Sequence, residues 1–111
     1  MSDAVQIRPY EDRDRASLTT ALVGIQEHER ALHDTRVPGG PATEIYVGEL
    51  LAEVAAKSGA IFVAEAGGAL VGVVAGYIVD DPTVNETPDS NLHGYCSDIY
   101  IAPDRRGGGL A

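Results

Sequence analysis

A chain of 111 residues with 44% hydrophobic content is long enough for one core and too short for two, so a single domain is expected. The formal net charge of -9 argues against nucleic acid as a partner, because phosphate binding needs clustered Lys and Arg. The longest apolar run, about residues 69–79, is well under the roughly 18 residues a membrane-spanning helix needs.

Val5 and Ile7 alternate with polar residues before Pro9, which predicts a short first strand. Glu11, Asp12 and Asp14 then crowd a helix start, where carboxylates suit the positive end of the helix dipole. Leu18, Leu22, Ile25 and Leu32 draw one apolar stripe along a helix from about Asp12 to Leu32, near whose end stand His28 and His33. The segment "HDTRVPGGPA" breaks that helix. A second helix follows, with Thr43 as its cap, Val47, Leu50, Leu51 and Val54 as its apolar face, and Lys57 and Gly59 at its end.

The periodicity then changes. "AIFVAEA" and "ALVGVVAGYIV" are strands, and Gly67-Gly68 between them suits a two-residue hairpin because both glycines accept positive φ. The near-continuous apolar second run predicts a central strand covered on both faces. Gly72 and Gly76 inside it weaken the strand unless something packs close to its backbone. "DDPTVNETPDSNLHG" reads as a long loop, and "YCSDIYI" as a last strand ended by Pro103. Strand, helix, helix, hairpin, loop and strand together predict an α+β, or mixed α/β, layer with helices on a sheet.

Cys96 is the only cysteine, so no internal disulfide is possible; with no leader-like segment in residues 1–10, a cytoplasmic protein is expected. Cys96 near His93 lacks the further ligands a metal site requires, and a lone Cys in an apolar strand reads as a small buried hydrophobe; no metal is expected. From Ser58 to Asp104 there is no Lys or Arg, while Glu65, Asp80, Asp81, Glu86, Asp89, Asp98 and Asp104 all fall in that window. This stretch has two readings: a solvated acidic surface, or a rim that attracts a cationic substrate.

The chain ends in "IYIAPDRRGGGLA", a strand that runs into arginines and glycines. Glycines let backbone N–H groups turn toward an anion, which is how loops of this composition hold phosphate. A Walker A loop is excluded because no Lys follows Lys57, and a dinucleotide fingerprint does not fit a loop that follows an antiparallel hairpin.

"SDIYIAPDRRGGGLA" closely resembles the acetyl-CoA-binding segment of the GNAT superfamily of N-acetyltransferases, with Arg106, Gly109 and Ala111 in its first, fourth and sixth places. "VQIRPYEDRDRASL" looks like that family's first strand and helix, and "AIFVAEAGGALVGVVAGYIV" like its second and third strands. The resemblance implies a central, mostly antiparallel sheet with helices on its faces. It implies an N-acetyltransferase that moves an acetyl group from acetyl-CoA to a primary amine by direct attack in a ternary complex. Backbone N–H groups of Arg106, Gly107, Gly108, Gly109, Leu110 and Ala111 would hold the pyrophosphate. Ile99, Tyr100 and Ile101 would pair with the pantetheine arm and present an N–H to the thioester carbonyl.

Many relatives place a glutamate where this chain has Ser97, which leaves Asp98 as the base; its other reading is a strand carboxylate that accepts a backbone or Tyr hydrogen bond. The region after the first helix shapes the acceptor pocket in the family, which points to Glu27, Glu29, His33 and Tyr46 as substrate contacts or as solvated and structural side chains. The family continues past the glycine loop with helix, strand, helix and strand, and commonly takes its general acid from there. The expectation is therefore a domain incomplete at the C-terminus, with an open sheet edge and an uncovered apolar face: either the native chain is longer, or the domain pairs as a homo-oligomer such as a dimer or with a completing chain. A non-catalytic fragment of the same fold, acting as a binding or oligomerisation module, is the alternative.

Overall fold

The structure is a computed structural model that describes residues 4–111; the first three residues of the segment examined for a leader lie outside the described residues. Four strands form one antiparallel sheet in chain order: β1 (Gln6–Pro9), β2 (Ala60–Ala66), β3 (Ala69–Asp80) and β4 (Leu92–Ile101). Two helices, α1 (Arg15–Leu32) and α2 (Pro41–Ala56), lie between β1 and β2. This is the expected α+β arrangement.

The core forms where the apolar helix stripes meet one face of the sheet. Leu18, Leu22, Val47 and Leu50 pack against Ile61, Val63, Val73 and Ala75, and Leu18 and Val47 are fully enclosed. The stripe on α1 stops at Ile25; Leu32, expected on it, is 68% exposed because the helix has by then run past the sheet. Gly67 and Gly68 turn the β2–β3 hairpin with φ of 58° and 80°, as their sequence requires.

The start of α1 is fixed from three elements. A 3-10 turn at Asp12–Asp14 precedes it, and the Glu11 N–H donates to Asp14 Oδ2 at 2.8 Å. Arg8 on β1 donates through both terminal nitrogens to Asp14, at 2.8 Å each, and reaches Glu65 on β2 at 3.2 Å. Hydrogen bonding from the Arg8 guanidinium, aided by the Glu11 N–H, holds the buried Asp14 carboxyl down at about 2. A folded-state value below the ordinary one contributes stability above about pH 4, which is lost as pH falls toward 2. Urea titrations between pH 6 and pH 2 should show Asp14→Asn less stable by roughly 2 kcal/mol at pH 6, with the two curves converging at the acid end.

Several expectations change. Gly40, not Thr43, is the cap of α2; Pro41, with its fixed φ and missing N–H, takes the first helical position, and Thr43 is buried one turn in. At the other end Ser58 takes the left-handed conformation at φ 52°, and the Gly59 N–H donates to the Val54 carbonyl at 2.9 Å. The last strand begins at Leu92 rather than Tyr95, because Leu92, His93 and Gly94 pair with Asp80, Val79 and Ile78; the loop shortens to residues 81–91. Cys96 is exposed, since its side of β4 faces away from the helices.

β3 is central, but among the described residues helices cover only one of its faces. The other face is apolar and open, with Ile7 59% and Ile99 55% exposed beside Phe62 and Val74. Gly72 and Gly76 are close to neighbouring backbone, as their place in a strand suggested. A Cβ on Gly72 would lie 3.3 Å from the Tyr100 carbonyl oxygen, and one on Gly76 would lie 2.9 Å from that of Tyr95.

Candidate functional site

β4 carries the site because of one extra residue. Ala75 pairs with Asp98 and Gly76 with Cys96, so Ser97 is a bulge between them. The bulge brings Tyr95, Ser97 and Asp98 to the same cavity, where strict alternation would turn Asp98 away from Tyr95 and Ser97.

That cavity, about 490 Å³, opens between α1, α2 and β4. Its polar lining comes from Gln26 and Glu29 on α1, Arg36 on the interhelix loop, Tyr46 on α2, and Ser97 and Asp98 on β4. The Tyr46 hydroxyl donates to Asp98 Oδ2 at 2.7 Å, joining α2 to β4 across the cavity. Loss of solvent and this hydrogen bond to a carboxylate raise the Tyr46 phenol above its ordinary range, so it stays a neutral donor.

The interhelix loop is pinned to α1 by three side chains. Gln26 Nε2 donates to the Val37 carbonyl at 2.8 Å, the Gly39 N–H donates to Glu27 Oε1 at 2.8 Å, and Arg36 pairs with Glu29 at 3.0 Å. The Gly39 N–H, with Arg30, lowers the Glu27 carboxyl below its ordinary value. Glu27 therefore faces the loop and not the cavity, and His33 is exposed as the cap at the end of α1. Of the acceptor contacts named from sequence, the structure brings Tyr46 and Glu29 to the cavity together with Asp98 and leaves Glu27 and His33 outside it. Arg36 was missed because only the path of the loop turns it toward the cavity, and Gln26 because its helical spacing from Leu22 and Glu29 was the one signal it carried.

A second cavity, about 360 Å³, runs along α1 and the outer side of β4. Ile99, Tyr100, Ile101 and Arg106 line it with His28 and Glu29. The Ala102 N–H donates to the Val71 carbonyl at 2.8 Å, so Ala102 points its backbone groups toward β3. Strand alternation then aims those of Ile99 and Ile101 outward. Consistent with this, the Ile101 carbonyl accepts the Arg106 Nε–H at 2.9 Å.

Past Ile101 a 3-10 turn, Pro103–Arg105, leads into the glycines. Gly107 and Gly109 adopt φ of 81° and 83°, and a Cβ on either would meet nothing within 4 Å. Leu110 packs back on Ala64, Ala66 and Val71 and anchors the loop's far end. The loop is thus open above two positions that only glycine occupies without strain, which suits an anionic group against the backbone. His93 and Cys96 do not form a metal cluster, and no group of three or more His, Cys, Asp or Glu residues placed to hold a metal occurs among the described residues. No helix among them is long and apolar enough to cross a membrane.

Comparison with known proteins places the fold. The acetyltransferase (GNAT) family model matches residues 25–111. A GCN5-related N-acetyltransferase from Ralstonia eutropha JMP134 superposes with a TM-score of 0.72 at 19% identity, over 96% of this chain and 68% of that one. A protein from Clostridium acetobutylicum, described as a predicted acetyltransferase and solved with acetyl-CoA, gives 0.69 at 17% identity over 96% and 66%. Ribosomal-protein-alanine N-acetyltransferase from Brucella melitensis biovar Abortus 2308 gives 0.59 at 26% identity over 97% and 64%. The chain spans about two-thirds of the length of these solved relatives. None of the curated proteins matches it.

Proposed function

Since the chain belongs to the GNAT acetyltransferase family, we propose that it serves an N-acetyltransferase that moves an acetyl group from acetyl-CoA to a primary amine by direct attack in a ternary complex. The observation that carries this reading is the adjacency of two cavities along β4, one lined by Ile99, Tyr100, Ile101 and Arg106 and the other by Tyr46 and Asp98. A donor and an acceptor held in adjoining spaces react without a covalent enzyme intermediate.

The glycine loop and strand edge fit the co-substrate. Backbone N–H groups of residues 106–111 would receive its pyrophosphate, and Gly107 and Gly109 leave the room such an approach requires. The outward N–H groups of Ile99 and Ile101 would pair with its pantetheine arm, and one would stabilise the thioester oxyanion. Acetyl-CoA supplies the activated acyl group. A carboxylate of the acceptor cavity, which Glu29 and Asp98 both line, would accept a proton from the acceptor, directly or through water, because an ammonium with a pKa near ~10.4 cannot attack while charged. The acidic window of the sequence suits a cationic acceptor, and the reading includes cytoplasmic action and completion of the domain by further chain or by a second copy.

One observation favours the binding-module alternative: the apolar face at Ile7, Phe62, Val74 and Ile99 is open. The two are separated with the native protein by calorimetric titration with acetyl-CoA and by release of CoA thiol in the presence of an amine panel. Saturable binding and amine-dependent release are expected. Absence of saturable acetyl-CoA binding would reject the enzyme, and binding without release would favour the module.

A further inference from the structure

Resting on the acetyl-transfer reading, we infer that Glu29 on α1, rather than Asp98 on β4, receives the acceptor's ammonium and takes its proton, and that Arg36 is the cation displaced when the acceptor arrives. Glu29 and Ile25 are the residues common to the acceptor cavity and the cavity along the strand edge. An amine that attacks a thioester lying against Ile99 and Ile101 must do so where these two spaces meet, and Glu29 is the carboxylate there. Asp98 lines the acceptor cavity alone. One of its oxygens is committed to the Tyr46 hydroxyl at 2.7 Å, which makes it a brace between α2 and β4.

Glu29 is already holding a cation. Its Oε2 pairs with Arg36 Nη2 at 3.0 Å, with both side chains more than a third exposed. Pairs this open contribute little net stability, so an incoming ammonium exchanges for the guanidinium at small cost. The loop need not unfold for the exchange, because Gln26 and Glu27 hold it at Val37 and Gly39 independently of Arg36. The other charged or titratable groups facing this junction are His28 on α1, Arg106 on the glycine loop, Tyr46 on α2, and Tyr95, Asp98 and Tyr100 on β4.

In the step itself, the acceptor ammonium passes one proton to the Glu29 carboxylate. The freed nitrogen lone pair forms the C–N bond at the acetyl carbonyl carbon. The tetrahedral adduct collapses with cleavage of the C–S bond, the thiolate takes the second proton from nitrogen, and Glu29 returns its own to solvent. The products are the acetamide, the CoA thiol and one proton.

The test uses the native protein with Glu29→Gln, Asp98→Asn and Arg36→Gln, each checked for folding by thermal melting. Glu29→Gln should lower kcat/KM about 100-fold, remove the fall in rate at acid pH, and weaken acceptor binding measured by calorimetry without acetyl-CoA. Asp98→Asn should lower kcat/KM by less than about tenfold while retaining the acid limb. Arg36→Gln should lower the acceptor KM, since the competing cation is gone. A large loss confined to Asp98→Asn, an acid limb that survives in Glu29→Gln, or weaker acceptor binding in Arg36→Gln would each overturn the assignment while leaving acetyl transfer intact. No amine-dependent thiol release from the unmodified protein would instead overturn the acetyl-transfer reading, and this assignment with it.

Discussion

Gly59→Ala should lower the melting temperature by roughly 15 °C, corresponding to a loss of about 3 kcal/mol for a domain of this size. Gly59 follows the left-handed Ser58 at the end of α2, and its N–H closes the helix on Val54. A Cβ there would lie 2.5 Å from the Gly76 carbonyl oxygen, 2.8 Å from the Tyr77 Cβ and 3.0 Å from the Val54 Cα. None of these is the far end of a flexible side chain, so relief requires that α2 and β3 separate. The Lys57 carbonyl, which accepts the Ile78 N–H at 2.9 Å, would be displaced by the same movement. Gly94→Ala on β4 is the control: a Cβ there meets nothing within 4 Å, and the expected change is under about 0.5 kcal/mol. Equal melting temperatures for the two variants would show that the α2–β3 junction is looser than its packing indicates.

Gly109→Val is expected to weaken acetyl-CoA binding by 10- to 100-fold while leaving the melting temperature within a few degrees. Its physics is the reverse of Gly59. Space is plentiful, but φ is 83°, which costs a β-branched L-residue about 1–2 kcal/mol. The loop can relieve that strain by rotating its peptides, since the sheet does not depend on it. Rotation turns N–H groups away from the position an anion would take. Gly108→Ala separates conformation from bulk, because Gly108 is not left-handed and a Cβ there makes only an ordinary 3.7 Å contact with the Arg105 carbonyl oxygen. Calorimetric titration of the three proteins should give near-native affinity for Gly108→Ala and a marked loss for Gly109→Val. Unchanged affinity in both would remove the loop from the binding site.

The sheet was legible because its signals are local. Gly67-Gly68 with apolar runs on either side leaves little choice but a hairpin, and the β-prone residues of "YCSDIYI" before Pro103 identify a strand even though its first three residues were missed. Leu92, His93 and Gly94 have no strand pattern of their own and are extended because β3 is long enough to pair with them. Thr43 was misread for a related reason: a threonine before an apolar run looks like a cap, but Pro41 starts the helix earlier and the side chain is drawn into the core.

The site was harder to read. The glycine loop announced itself by composition, and Asp98 was implied by the family resemblance, but their neighbours depend on tertiary geometry. Nothing local distinguishes Glu27 from Glu29: two residues apart on one helix, they point about 200° from each other, so one meets the loop backbone and the other the cavity. The Ser97 bulge left no mark in the residue pattern, although it decides which of the β4 side chains reach that cavity.

The order of strands in the sheet also bears on how the chain assembles. β2, β3 and β4 are successive neighbours, joined by a two-glycine turn and by residues 81–91, so their pairings close short loops at low entropic cost and are expected to form early. β1 is different: Gln6 to Pro9 pair with Phe62 to Glu65 only after the whole two-helix excursion has been laid down. Of the Arg8 contacts, the one to Asp14 is local, whereas the one to Glu65 spans 57 residues and is expected late on the folding path. A contact that forms so late is expected to slow unfolding and to have little influence on how fast the rest of the sheet is reached.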